Sequence, residues 1–180
     1  MAMIDKTRLV VVLGNKCLTP WMEAFASPFR VKKYLQGFDR EEADAARNAA
    51  IAEFLDSPED WLVMANSHAV PDERTLPLLE TQEPIASVRC PGSGKGKKIW
   101  EAHPSTFSAL LWRAHRTVLA TMKRLDKPPW FGRDKNTCPC RWFYDKCVAE
   151  GFQPAKVGEA GRWMEDGSVF WLKKHNYHVN

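Results

Sequence analysis

The residues able to do chemistry fall into three groups along the 180-residue sequence. His68, Cys138, Cys140, His175 and His178 supply imidazole and thiol groups, the ligands that zinc prefers. The Cys138-Pro139-Cys140 spacing is shorter than the roughly two to four intervening residues common in structural zinc sites, so inert buried thiols and surface histidines are the alternative. The second group is Asn66-Ser67-His68, which ends the apolar run Trp61-Leu62-Val63-Met64-Ala65 and is followed by Val70-Pro71. A brief apolar run bounded by a turn signal has the pattern of a buried parallel strand. Its polar residues then stand at the carboxyl end, where open α/β sheets hold ligands. The third group is Gly92-Ser93-Gly94-Lys95-Gly96-Lys97-Lys98. A phosphate loop requires Ser or Thr after the lysine and a helix behind it. Here Gly96 follows and Ile99-Trp100 looks strand-like, so a lysine-bearing loop that can touch anions is expected.

Elements able to position these groups are legible in the same way. Arg8 to Leu13 is a continuous β-branched run that predicts a buried first strand ending at Gly14-Asn15. Thr19-Pro20 predicts the start of a first helix running to about Ser27. From Glu41 to Leu55 the residues Ala45, Ala49, Ile51, Ala52 and Leu55 recur at helical spacing without glycine or proline. The strand at Trp61 follows at once, giving strand, helix, helix, strand. Glu73 to Glu80 predicts a short helix and Pro84 to Arg89 a strand. Thr106 to Arg113 is a further apolar run, and Ala114 to Leu125 predicts a helix with Val118, Leu119 and Met122 on one face. Arg141 to Glu150 predicts a last helix closed by Gly151, and Val169 to Leu172 a late strand before a basic tail.

Composition narrows the class. Hydrophobic residues make up 44% and charged residues 27%, which argues against disorder and coiled coil. The length predicts one domain over residues 1–180. No apolar run reaches the roughly 18 residues needed to cross a bilayer, so a soluble, cytoplasmic protein without a membrane partner is expected. Five cysteines predict reduced thiols or metal ligands rather than a disulfide framework. A formal charge of +4 favours anionic partners but falls short of the basic stripe of a dedicated nucleic-acid binder. The eight tryptophans add surface suited to stacking on sugars or bases.

The order of the pieces carries a resemblance. Ala45-Ala46-Arg47-Asn48-Ala49-Ala50-Ile51, then Asp60-Trp61-Leu62-Val63-Met64, a polar triplet, Val70-Pro71 and Thr75-Leu76-Pro77-Leu78-Leu79 resemble the small bacterial and phage glycosyltransferases of the GT-A fold, family-2-like. Thr106 to Arg113, Thr117-Val118-Leu119, Pro129-Trp130-Phe131 and Trp142-Phe143-Tyr144 to Glu150-Gly151-Phe152 extend it over roughly residues 8 to 155. The resemblance implies a three-layer α/β fold with a mostly parallel central sheet, trimmed to its nucleotide-sugar-binding part. It implies transfer of a sugar from a nucleotide-sugar donor to a hydroxyl acceptor: a glycan, a small molecule or, as in phages, a hydroxymethylated base of nucleic acid. Gly14, Arg47, Asn48, Asn66, Ser67 and His68 stand at the donor-binding positions.

The chain departs from the family at both acidic motifs. Asn66-Ser67-His68 replaces the Asp-x-Asp that binds a divalent cation, and Cys138-Pro139-Cys140 replaces the Glu-Asp pair whose Asp is the general base. Two consequences stand side by side. Softer ligands, His68, Cys138, Cys140 and a tail histidine such as His175, hold zinc where the family holds magnesium or manganese. Alternatively there is no metal, and Lys95, Lys97, Lys98 or Lys173 neutralise the diphosphate. Asp134, Asp145 and His68 are the remaining candidates for the base. A non-catalytic, nucleotide-binding pseudoenzyme, stabilised by zinc, is the rival reading.

Overall fold

A computed structural model describes residues 4–39, 42–92, 101–103, 105–123, 130–134, 136–164 and 166–172. The glycine-lysine segment from residue 93 to 98, Lys173, His175 and His178 lie outside them.

The fold is built on a six-stranded sheet. Its strands are β1 (Thr7–Gly14), β2 (Val31–Gln36), β3 (Trp61–Asn66), β5 (Ile85–Arg89), β6 (Leu111–His115) and β7 (Ala155–Glu159). They lie side by side in the order β2-β1-β3-β6-β5-β7. β1 runs parallel to β2 and β3, and β7 runs parallel to β5. β6 is antiparallel to both its neighbours, so it alone of the six is reversed.

Central strands read as unbroken apolar runs because both faces of the sheet are covered. Along β1, Val10 and Val12 enter one cluster with Leu62, Met64, Trp112 and Ala114, beneath helices α2 (Ala43–Leu55), α4 (Arg116–Met122) and α5 (Pro139–Ala149). Leu9, Val11 and Leu13 enter the other with Val63 and Ala65, against α1 (Pro20–Ala26) and α3 (Leu76–Glu80). The expected three layers, with a mostly parallel sheet between helices, are present.

The remaining strands, β4 (Ala69–Val70), β8 (Gly161–Trp163) and β9 (Val169–Phe170), make a small antiparallel sheet in the order β4-β8-β9. β4 begins just past the carboxyl end of β3, so this second sheet sits at that end of the main one.

Most expected elements form where periodicity puts them; β2, β4, β7 and β8 form where no strand was expected, and two helices differ from the expectation. β2 was not expected; its alternating half-buried and exposed side chains, including Lys32 and Lys33, belong to an edge strand that packs on one face only. The helix expected from Ala114 begins at Arg116, because Ala114 and His115 still pair with β3 as part of β6. The buried face of α2 is Ala43, Asp44, Arg47, Ala50, Ile51 and Phe54, whereas Ala45 and Ala49 are exposed. Apolar periodicity missed this face because two of its positions are charged. They are buried as a pair, with Arg47 Nη1 donating to Asp44 Oδ1 at 2.9 Å.

Arg113 on β6 is also buried, and desolvation pushes its guanidinium down to about 10. It lies 3.6 Å over the Trp61 ring and donates to the Thr81 carbonyl at 2.7 Å, tying the end of α3 to the sheet. No helix among the described residues is long and apolar enough to cross a membrane.

Candidate functional site

The carboxyl end of β3 is tied on both sides, to β1 and to the residue that precedes β6. Ser67 N donates to Val12 O at 2.9 Å, and Asn66 N to Leu110 O at 2.7 Å. Between the carboxyl ends of β1 and β3 and the small sheet lies an open cleft of about 1120 Å³. Its floor is Val12 to Gly14 with Asn66 and Ser67, and Arg162, Trp163, Met164, Asp166 and Phe170 form the wall from the small sheet. Lys16, Phe38, Asp39, Arg47, Arg133 and Cys140 complete it. Gly14 has φ +60°, a left-handed conformation, and its missing Cβ would meet the Phe38 carbonyl at 3.4 Å.

The polar triplet is organised by backbone contacts. Asn66 Oδ1 accepts from His68 N at 3.1 Å, closing an Asx-turn that carries the chain from β3 into β4. His68 Nδ1 lies 3.2 Å from the Trp163 carbonyl. A carbonyl only accepts, so this contact places the proton on Nδ1. The triplet therefore offers an amide, a hydroxyl and an imidazole but no carboxylate, a set that does not fit a hard divalent cation such as manganese.

Positive charge is concentrated on the facing wall. Arg47 and Arg133 both pair with the buried carboxylate of Asp44, at 2.9 and 2.7 Å. Burial lowers the Arg47 pKa, and the charge of the Asp44 carboxylate opposes the shift. Two cations on one anion leave this wall net positive. Elsewhere around the cleft, Lys16 and Arg162 bring further positive charge against Asp39 and Asp166.

Arg133 is held there from a distance in sequence. Trp130 and Phe131 are buried in the cluster beneath α2, with Trp130 Nε1 donating to Leu119 O at 2.9 Å and Phe131 stacked on Phe143 at 4.7 Å. Asn48 Nδ2 donates to Phe131 O at 2.8 Å, and Phe131 N donates to Asn48 Oδ1 at 2.9 Å. Arg133 follows two residues later.

Of the donor-side candidates, Gly14, Arg47, Asn66, Ser67 and His68 all line the cleft, whereas Asn48 does not and has both ends of its amide on Phe131. Of the two carboxylates expected as base, neither lines it. Asp134 accepts from the backbone of Asn136 and Thr137, both at 2.8 Å, which lowers its pKa. Asp145 pairs with Arg141 on the exposed side of α5. Arg133, Asp39, Arg162 and Trp163 were missed. Lys16 and Asp39 directly follow strand ends, a signal available for Lys16 and hidden for Asp39 by the unrecognised β2. The rest reach the cleft only through packing.

Among the expected metal ligands, Cys138 and Cys140 come together, and the imidazole beside them is His103 rather than His68. His103, Cys138 and Cys140 place their ligand atoms within 4.8 Å of one another. Cys138 is the N-cap of α5 and accepts from Arg141 N at 3.5 Å, while Cys140 accepts from Ala109 N at 3.4 Å. The Cys140 thiol, donating to Cys138, holds the Cys138 pKa down and its own up.

The fold has known counterparts. The STIV protein A197 is similar with a TM-score of 0.57 and 13% identity, over 96% of this chain and 98% of that one. A structure described as a glucose-1-phosphate thymidylyltransferase from Bacillus anthracis, in complex with a sucrose, is similar with a TM-score of 0.53 and 10% identity, over 89% of this chain and 92% of that one. Neither a family model nor a curated protein matches the sequence. At these identities the likeness shows the fold alone, a mixed α/β fold with a mostly parallel central sheet between helices.

Proposed function

We propose that the cleft binds the diphosphate of a nucleotide-sugar and that the chain transfers the sugar to a hydroxyl acceptor. The observation that carries this reading is the pairing of Arg47 and Arg133 on Asp44 beside the carboxyl ends of β1 and β3. In sugar transfer the bond from the anomeric carbon to the diphosphate oxygen breaks and its electron pair stays on the leaving phosphate. The acceptor oxygen forms the new bond and gives its proton to a base. Guanidinium groups already fixed by a carboxylate stabilise the charge developing on the phosphate without reorganising, and their planar forks match its oxygens. The resemblance to glycosyltransferases supports this use of the cleft. So does the fold similarity to a protein described as a glucose-1-phosphate thymidylyltransferase. Among the described residues, Asp39 and Asp166 are the carboxylates that line the cleft, and they are the candidates for the base.

A non-catalytic nucleotide-binding module is the second reading, favoured by one observation. The strand end has no carboxylate, and neither Asp134 nor Asp145 reaches the cleft.

The test is thermal denaturation with a panel of nucleoside diphosphates, with and without chelator, followed by assay of the matching sugar conjugate for hydrolysis or transfer. Stabilisation by one nucleoside diphosphate with turnover of its sugar conjugate is expected. Stabilisation without turnover selects the binding module, and no stabilisation by any nucleotide overturns both.

A further inference from the structure

We infer that His103, Cys138 and Cys140 form a binding site for one zinc ion at the rim of the cleft. Three soft or borderline ligands meet here from two segments of chain, with their Sγ and imidazole nitrogen atoms within 4.8 Å of one another. A tetrahedral zinc ion with Zn–S near 2.3 Å and Zn–N near 2.0 Å needs its ligand atoms about 3.5–3.8 Å apart, so closure by about 1 Å completes the site.

Each ligand is held by its own local structure. Pro139 at the first position of α5 fixes the turn at which Cys138 is extended (φ −72°, ψ 159°) and Cys140 already helical, bringing both sulfurs to one side of the helix start. His103 follows a bridge between Pro91 and Glu101, with Ala102 N donating to Cys90 O at 2.8 Å. Thr106 N donates back to His103 O at 3.1 Å. His103 itself has φ +52°, a left-handed backbone that a side chain rarely adopts.

The cluster supplies three protein ligands, and no fourth His, Cys, Asp or Glu joins it among the described residues. Three ligands leave one position for water or a substrate oxygen. Cys140 lines the cleft, so that position stands at the edge of the proposed nucleotide site. The metal site is independent of that proposal, because it rests on the ligands alone.

The test is metal content and titration of the full chain, purified in a thiol-free reductant and loaded with zinc, with cobalt as a spectroscopic probe. One equivalent of zinc is expected, and cobalt should give thiolate charge-transfer bands with the intense visible bands of a tetrahedral ion. Cys138→Ser, Cys140→Ser and His103→Gln should each weaken binding by at least about 100-fold, the upper end of what outer-shell partners contribute. Cys17→Ser and Cys147→Ala should leave it intact. Circular dichroism of each variant separates lost ligation from lost folding, and the cobalt spectrum of the unaltered protein needs no variant. The inference is overturned if the unaltered protein takes up no stoichiometric metal. It is equally overturned if His103→Gln retains full affinity, or if His68→Ala loses metal while His103→Gln keeps it.

Discussion

Asn48 and Phe131, 83 residues apart, are joined by two hydrogen bonds, from the Asn48 amide to the Phe131 carbonyl and from the Phe131 amide to the Asn48 carbonyl oxygen. This pair fixes the segment that carries Arg133 against the face of α2 that carries Arg47. The wall of the cleft is therefore set by an amide that never enters it.

Replacing Asn48 should show this. Asn48→Ala leaves two partly buried backbone groups without partners, at about 1–3 kcal/mol for the pair. It should also weaken nucleoside diphosphate binding by releasing Arg133. Asn48→Asp keeps the acceptor for Phe131 N and loses the donor, so an intermediate loss is expected. Urea denaturation and titration of the nucleotide identified by thermal shift check both effects. Full affinity in a destabilised Asn48→Ala protein would mean that Arg133 is positioned by something else.

Asp44 has a different role. Its side chain and that of Arg47 are both 10% exposed, so removing the carboxylate leaves a buried guanidinium without its partner. Asp44→Ala should cost about 3–5 kcal/mol, the range for breaking a buried ion pair. Arg133→Ala should cost less than about 1 kcal/mol, because that side chain is 38% exposed, yet reduce nucleotide affinity roughly tenfold. Chemical denaturation alongside nucleotide titration separates the two. Equal stability losses in both variants would contradict the asymmetry of the cluster.

Gly14 joins the sheet to the cleft. Gly14→Ala forces a side chain into a left-handed residue close to Phe38, with an expected loss of about 1 kcal/mol and weaker nucleotide binding. Wild-type affinity together with wild-type stability would argue that the floor of the cleft is not where nucleotide lies.

Alkaline stability should report on Cys147. Burial pushes its thiol from 9.0 up to about 12, beside Met122 in the cluster under α5. Between these values the unfolded chain has released a proton that the folded chain keeps, so stability is full below about pH 9 and falls as pH rises towards 12. The full slope for one such group is about 1.4 kcal/mol per pH unit. Cys147→Ala should lower stability at pH 7 by its lost packing yet flatten the decline above pH 9. Cys90, also pushed up by burial, keeps part of the slope. An unchanged slope in denaturation curves from pH 8 to 11 would refute this assignment.

Sequence alone determined the elements whose information is local. The apolar runs of β1 and β3, the Thr19-Pro20 start of α1, and the Val118, Leu119 and Met122 face of α4 are readable because burial on a sheet or helix face imposes a period on neighbouring residues. The same logic located the strand end at Asn66, and that end does open on the cleft. Local pattern failed where burial follows partnership instead of polarity. Asp44 and Arg47 are charged yet buried because they neutralise each other, and β2 is half polar because it lies at an edge. The site itself was decided by tertiary structure. Arg133 meets Asp44 across 89 residues, and His103 meets Cys138 and Cys140 across a helix, a strand and the buried Trp130-Phe131 anchor. No periodicity encodes such meetings, because they depend on how separate elements pack on the two faces of one sheet.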